Sequence, residues 1–275
     1  MKDYWPLLAL LLICCGIVWW QPNGATSLDS HFARQLGQQM ELAVSTIPPD
    51  LLDSRRQRGE VQVLSNGRRI YEDDISAQMR QAGNSAEATY LWRFEADGYS
   101  TATAQGLDNR HHFVNSYLVG YAPFVTDKLW VPLYTVASRK TYQLDSQQYR
   151  KQDLWQNSAQ SYLYTRGDCE DHALLLADWL IESGIDARVV MGKYRNEGHA
   201  WVVAFNEGEA FLLEATDKRK HAAWRHYPKA ILANHYAPDL MFNRHTLWIN
   251  QGATTTRDYD GTHWQKRSLF KRHSG

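Results

Sequence analysis

The chain has 275 residues, and its 30 lysines and arginines balance its 30 aspartates and glutamates, so no global charge recruits nucleic acid or an acidic membrane surface. A hydrophobic share of 44% supports a globular core, while the scattered histidines and three cysteines match no zinc-ligand spacing. Cys14 and Cys15 lie in an apolar N-terminal run, which leaves Cys169 alone in the rest of the chain.

From Tyr4 to Trp20 the sequence carries no charge and is rich in Leu, Ile and Val, before the turn-forming Gln21-Pro22-Asn23-Gly24. At about 1.5 Å per residue it reaches the lower limit for spanning a bilayer core of about 30 Å, with Trp19 and Trp20 suited to the far interface. Residues 1–24 are read as an uncleaved signal anchor. Ala25 leaves secretion after signal cleavage as the rival, although the small residues of a cleavage site are poorly placed. Neither cysteine follows the small residue expected before a lipoprotein cysteine. Both main readings export the body: a single-pass protein of the cell membrane with its body on the periplasmic side, or a secreted one.

Residues 25–110 read as an N-terminal extension of mixed structure. Leu28 to Leu52 suits a helix broken at Pro48-Pro49, and Glu60 to Leu64 and Arg68 to Tyr71 flank Ser65-Asn66-Gly67, a hairpin signal. No motif there attaches to chemistry; a lid, a substrate platform or an extra layer on the core are its expected roles.

Cys169 stands in Thr165-Arg166-Gly167-Asp168-Cys169-Glu170-Asp171-His172, directly ahead of an apolar helical run. Ala173, Leu174, Ala177, Leu180 and Ile181 recur at helical spacing and Gly184 supplies a stop, with Asp168 expected as N-cap and Asp171 as its capping-box partner. Helix N-termini carry unsatisfied N–H groups and about half a positive charge, so a cysteine there is biased toward the nucleophilic thiolate. A buried structural cysteine is the commoner fate of a free thiol. An exported thiol without an internal partner is a hazard unless it is used.

Asp186 to Met191 and His199 to Phe205 read as strands, followed by Asn206-Glu207-Gly208 and then Glu209 to Glu214. If Asn206 and Glu207 form the two-residue loop, His199 lies opposite Glu214, with Cβ atoms about 4.5–5.5 Å apart. A loop of Glu207-Gly208 makes the two diagonal neighbours, on the same face and still within reach. Asp217 falls on the opposite face of a continued strand and ranks second as the acid. Cysteine, histidine and carboxylate then form a nucleophile, base and orienter set suited to thiol chemistry.

These residues resemble a known family. Gly167-Asp168-Cys169-Glu170-Asp171, Gly184-Ile185-Asp186-Ala187-Arg188, His199-Ala200-Trp201-Val202 and Leu213-Glu214-Ala215-Thr216, with Asp153-Leu154-Trp155-Gln156 upstream, look like the boxes of the transglutaminase-like superfamily, most of all its bacterial cysteine proteinases. The resemblance covers roughly residues 110 to 220, and it departs from the family in having Glu214 where aspartate is usual. It implies an oxyanion hole from the Cys169 N–H and a second donor, for which Trp155 and Gln156 are candidates. It further implies calcium at Asp168, Glu170 and Asp171, against a rival reading of helix capping.

The expected architecture is α+β, a papain-like, transglutaminase-like core in residues 111–220 with the nucleophile's helix packed on an antiparallel sheet. A tail over 221–275, rich in His, Trp and Arg, is expected to wrap it; the basic clusters Lys218 to Lys220 and Lys266 to Arg272 read as solvated surface. The expected activity is hydrolysis of a peptide or glutamine amide bond through a thioester, with an exported protein or peptide as substrate, no nucleic acid partner and no required cofactor beyond possible calcium. A transglutaminase with an amine acceptor, or a non-catalytic membrane-tethered binding module on the same fold, are the alternatives.

Overall fold

A computed structural model describes residues 30–82, 89–94, 98–217 and 229–273. The chain divides into two compact units, residues 1–38 and 39–275. Of the first, residues 30–38 are described, and they open a helix that runs Ser30–Ser45. The expected anchor from Tyr4 to Trp20 lies outside the described residues, as does the basic cluster Lys218 to Lys220. No helix among the described residues is long and apolar enough to cross a membrane.

In the second unit, the prolines act where the sequence places them. The helix stops at Ser45, and Pro49 restarts a short one, Pro49–Leu52, at the position where a missing N–H costs nothing. The expected hairpin follows as β1 (Gly59–Val63) and β2 (Arg69–Tyr71), with Val61, Val63 and Ile70 turned inward. β3 (Tyr90–Trp92), β4 (Thr101–Gln105) and β5 (His111–Phe113) form a small antiparallel sheet, and β6 (Thr141–Tyr142) pairs in parallel with β7 (Arg166–Gly167).

The remaining strands are β8 (Asp186–Tyr194), β9 (Glu197–Asn206), β10 (Glu209–Leu213), β11 (Tyr236–Phe242), β12 (Thr246–Asn250) and β13 (Trp264–Arg272). With β1 and β2 they build one eight-stranded antiparallel sheet in the order β10-β9-β8-β11-β12-β13-β1-β2. The segment after residue 229 therefore supplies three inner strands of the sheet, and β1 closes onto β13 from Gly59↔Arg272 to Val63↔Ser268.

The helix Cys169–Glu182 packs on β8 and β9 and against the helices Ser158–Leu163 and Trp130–Arg139. It is apolar nearly all round, with Ala173, Leu174, Leu175, Leu176, Ala177, Trp179 and Leu180 all buried, as a helix enclosed by sheet and helices must be. Strand alternation sorts the sheet's two faces: Ala200, Val202 and Ala204 join the helix core, while Trp201 and Val203 join a second cluster with Val190, Met241, Trp248, Tyr259 and Trp264.

Between β9 and β10 the pairing Asn206↔Glu209 leaves Glu207 and Gly208 as the loop, the second of the two expected registers and not the one that opposed His199 and Glu214. Both loop residues have positive φ, 52° and 78°, the requirement of a type I′ turn, and glycine meets it without strain at the second position. The ladder ends at Val202↔Leu213, so Glu214 lies just past it and diagonal to His199.

Candidate active site

Cys169 is the first residue of its helix and is half-buried, a free thiol whose Sγ donates to Glu170 Oε2 at 3.3 Å. The expected capping box is absent: the Asp168 side chain makes no cap hydrogen bond. Asp171 instead turns back into the upstream loop, where Oδ1 accepts the Gln156 N–H at 2.8 Å. Its carboxylate occupies the space beside Gly167, where a Cβ would collide with Asp171 Oδ2, so only glycine fits two residues ahead of the cysteine. The buried Lys140 amine fixes the same approach by donating to Ser161 O at 2.9 Å, Tyr164 O at 3.0 Å, Arg166 O at 3.3 Å and Gln156 Oε1 at 3.3 Å.

His199, three residues into β9 with its side chain 13% exposed, holds Glu214 Oε2 at 2.8 Å through Nε2. That leaves Nδ1 as the nitrogen for Cys169. Burial alone lowers the basicity of this imidazole, but its hydrogen bonds to Cys169 and Glu214, and the negative charge of both, push its pKa from 6.5 up to about 10. Burial acts on Glu214 in the raising direction, and the His199 and Thr216 hydrogen bonds outweigh it, so its pKa is lowered from 4.5. The ring of His199 is framed by Trp201, stacked at 6.2 Å between centroids, and by Tyr194 at 5.8 Å and Tyr236 at 6.4 Å.

Every lone-pair direction of Glu214 is engaged. Oε1 accepts from Thr216 N at 3.0 Å and Thr216 Oγ1 at 2.6 Å, and Oε2 accepts from the Tyr236 hydroxyl at 3.1 Å besides His199. Sequence reasoning missed Thr216 and Tyr236. Thr216 had a local signal, a hydroxyl two residues after the acid, where side-chain to backbone turns close. Tyr236 had none, because only the pairing Tyr236↔Tyr194 between β11 and β8 brings it to the site. The carboxylate on His199 is Glu214, and Asp217, the second choice, follows it beyond the end of β10.

Trp155 and Gln156 do not offer the oxyanion donors expected of them. The Trp155 N–H donates to Gln105 O at 2.8 Å and its indole Nε1 to Asp153 Oδ1 at 2.7 Å. The Gln156 N–H serves Asp171, and its side-chain amide donates to Arg166 O at 2.8 Å and Tyr149 OH at 3.0 Å. Both residues are buried, 1% and 0% exposed, and act as scaffold behind the cysteine.

The acidic residues beside Cys169 do gather, with one exchange of partners. Asp145, Asp168 and Glu170 present carboxylate oxygens within 4.8 Å of one another, whereas Asp171 is held by Gln156. Asp145 comes from the short helix Asp145–Gln148, which the sequence did not connect to the cysteine. Asp145 Oδ1, Asp168 Oδ1 and Glu170 Oε1 are buried and have no hydrogen-bond partner. Burial, then the charge of Asp168, pushes Asp145 from 3.8 up to about 7. Burial likewise raises Asp168, and it raises Glu170 well above the usual carboxylate range with the charges of Asp168 and Cys169 adding to it. Asp168 and Glu170 share a side-chain hydrogen bond, yet each of the three carboxyl groups keeps one buried oxygen without a partner, a set of hard oxygens that suits a calcium-like cation.

Residues 153–271, less than half of the chain, match the family model of the CEP76 peptidase-like domain. The chain is similar to the centrosomal protein of 76 kDa of Danio rerio, 41% identical over 54 residues, which are 19% of this chain and 8% of that protein. Among solved structures it is similar to LapG of Legionella pneumophila at a TM-score of 0.37 and 20% identity, over 50% of this chain and 75% of that one. LapG in its EGTA-treated form follows at a TM-score of 0.36, 20% identity and 72% of that chain. The chain thus contains a segment similar to a peptidase-like domain, carried on a fold of mixed helix and antiparallel sheet.

Proposed function

We propose that the protein is an exported thiol enzyme that hydrolyses a peptide or glutamine amide bond through a thioester on Cys169. One observation carries the reading: a helix-start cysteine shares a single imidazole with a carboxylate, with His199 Nε2 on Glu214 Oε2 at 2.8 Å and the cysteine hydrogen-bonded to the same ring. The thiol proton passes to His199 Nδ1, and the sulfur attacks the carbonyl carbon. His199 then returns the proton to the leaving amine, and water resolves the thioester with His199 as base. Glu214 holds the ring's tautomer and stabilises the imidazolium, a role glutamate fills here with its longer reach. The match to a peptidase-like family model over residues 153–271 supports the same reading.

Calcium belongs to this proposal at Asp145, Asp168 and Glu170, where a divalent charge would relieve three crowded carboxylates and tie the Asp145 segment to the start of the nucleophile's helix. Residues 4 to 20 would hold the enzyme at the membrane, facing exported substrates.

The test is incubation of the full chain and its Cys169→Ala variant with a peptide library read by mass spectrometry, with and without methylamine. New termini, or glutamine converted to glutamate, in the wild-type digest alone support the hydrolase. Methylamide products in place of these identify an amine acceptor, and identical digests from the two proteins refute turnover.

A further inference from the structure

An acyl-transfer site needs two hydrogen-bond donors where negative charge develops on the carbonyl oxygen. The Cys169 N–H is one: as the first in its helix it has no partner within that helix. With the N–H groups of Trp155 and Gln156 committed to Gln105 and Asp171, the second must come from elsewhere. We propose that the Tyr142 hydroxyl is this donor, an inference that rests on the acyl-transfer reading above.

β6 lies alongside β7 with Tyr142 level with Gly167, two residues before the cysteine. Thr141 N donates to Thr165 O at 2.7 Å and Gln143 N to Gly167 O at 3.0 Å, so the backbone on both sides of Tyr142 is pinned to the strand that delivers Cys169. The tyrosine ring sits 6.1 Å from the ring of His172, in the first turn of the nucleophile's helix, tilted 36° to it. It remains 43% exposed, unlike Trp155 and Gln156, so an incoming substrate can reach it. Burial raises the phenol's pKa, and the negative groups that add to this are Cys169, Asp168, Glu170 and Glu214, all of them at the site. The hydroxyl therefore keeps its proton and remains a donor.

In the step itself, sulfur bonds to the carbonyl carbon and the π pair moves onto oxygen. Tyr142 O–H donates a hydrogen bond to that oxygen without losing its proton, and the returning pair expels the leaving group. Alkylation of sulfur by iodoacetamide involves no such oxygen, and this separates the two roles a tyrosine beside a thiol can have.

The experiment compares the full chain with its Tyr142→Phe variant in two reactions at Cys169: acylation by p-nitrophenyl acetate, read as the p-nitrophenolate burst with Cys169→Ala as blank, and alkylation by iodoacetamide. Loss of one oxyanion donor predicts acylation slower by about 10²–10³-fold. Alkylation is predicted to stay within about twofold, which also reports an intact fold. Equal losses in both reactions would assign Tyr142 to the thiol, and undiminished acylation would remove it from the site; either overturns the proposal. A wild-type protein that is alkylated but never acylated refutes the acyl-transfer reading itself, and the proposal with it.

Discussion

At the scale of single residues, the His199 and Glu214 pair sets the working range of the site. The histidine's pKa is raised from 6.5 to about 10, so its stabilising contribution is fully present below 6.5 and is lost as pH rises through about 10. Glu214 is depressed below 4.5, so its contribution is present above that value and is lost as pH falls through the lowered one. The pair is thus intact across neutral pH. Glu214→Gln keeps the volume and removes the charge, leaving burial opposed by the cysteine alone. The His199 titration, followed by ring NMR, is expected to fall from about 10 toward 6.5 or below; a midpoint that stays near 10 would show that Glu214 does not set it. The principal residues of this constellation were legible because each sits in a local signal: a cysteine ahead of an apolar helix, a histidine on a strand, an acid beyond a tight turn. The two candidate turns differ by two positions in their pairing, which preserves the face, and the structure takes the second of them. Tyr236 and Asp145 were illegible for the opposite reason, since each reaches the site through a contact distant in sequence. Asp171 was misassigned because adjacency to the cysteine says nothing about which way a side chain turns on the first helical turn.

At the scale of elements, the start of the helix Cys169–Glu182 is a place of electrostatic conflict. Asp145 has a folded pKa of about 7 against 3.8 unfolded, and Asp168 and Glu170 are raised in the same sense. Stability from Asp145 is therefore fully present below about pH 4 and is lost as pH rises through about 7, and the raised Asp168 and Glu170 act in the same direction. A divalent cation that binds only the folded state reverses the loss. In EGTA the melting temperature is expected to fall between pH 5 and pH 8. Calcium at about one hundred times its dissociation constant adds about 2.7 kcal/mol, a rise of roughly 5–10 °C for a domain of this size. Asp145→Asn is expected to reduce that response sharply, and a calcium response equal to wild type in this variant would contradict the assignment. At the other end of the same helix, buried Asp178 accepts from Gly120 N and Tyr121 N, each at 2.9 Å, and pairs with Arg244 from the turn between β11 and β12 at 2.5 Å. The helix is therefore clamped near both ends to segments remote in sequence, and Cys169 gains a rigid mount.

At the scale of the whole molecule, the sheet is closed by strands from both ends of the second unit. The core expected over residues 111–220 contains β8, β9 and β10 but none of β11, β12 and β13, so the inner edge of β8 would stand open. It would also lack Tyr236 and Arg244, which complete the site and clamp the helix. A fragment of residues 111–220 is expected to show no cooperative unfolding transition by circular dichroism, whereas residues 39–275 unfold cooperatively. A cooperative transition in the short fragment would show that the outer strands are dispensable. The fold class was legible because helix and strand periodicities are local, and the sheet's order was not, because β1 meets β13 across some two hundred residues.

Activation of Cys169 by His199 is read from the rate of iodoacetamide alkylation of Cys169 against pH in the full chain and in His199→Ala. Since the imidazole stays protonated to about pH 10, the wild-type thiol is expected to react at least about tenfold faster than the variant's at pH 6, with the ratio shrinking toward one near pH 10. A ratio near one at every pH would mean that the histidine beside the cysteine does no chemistry on it, and the thiol-enzyme account would fail.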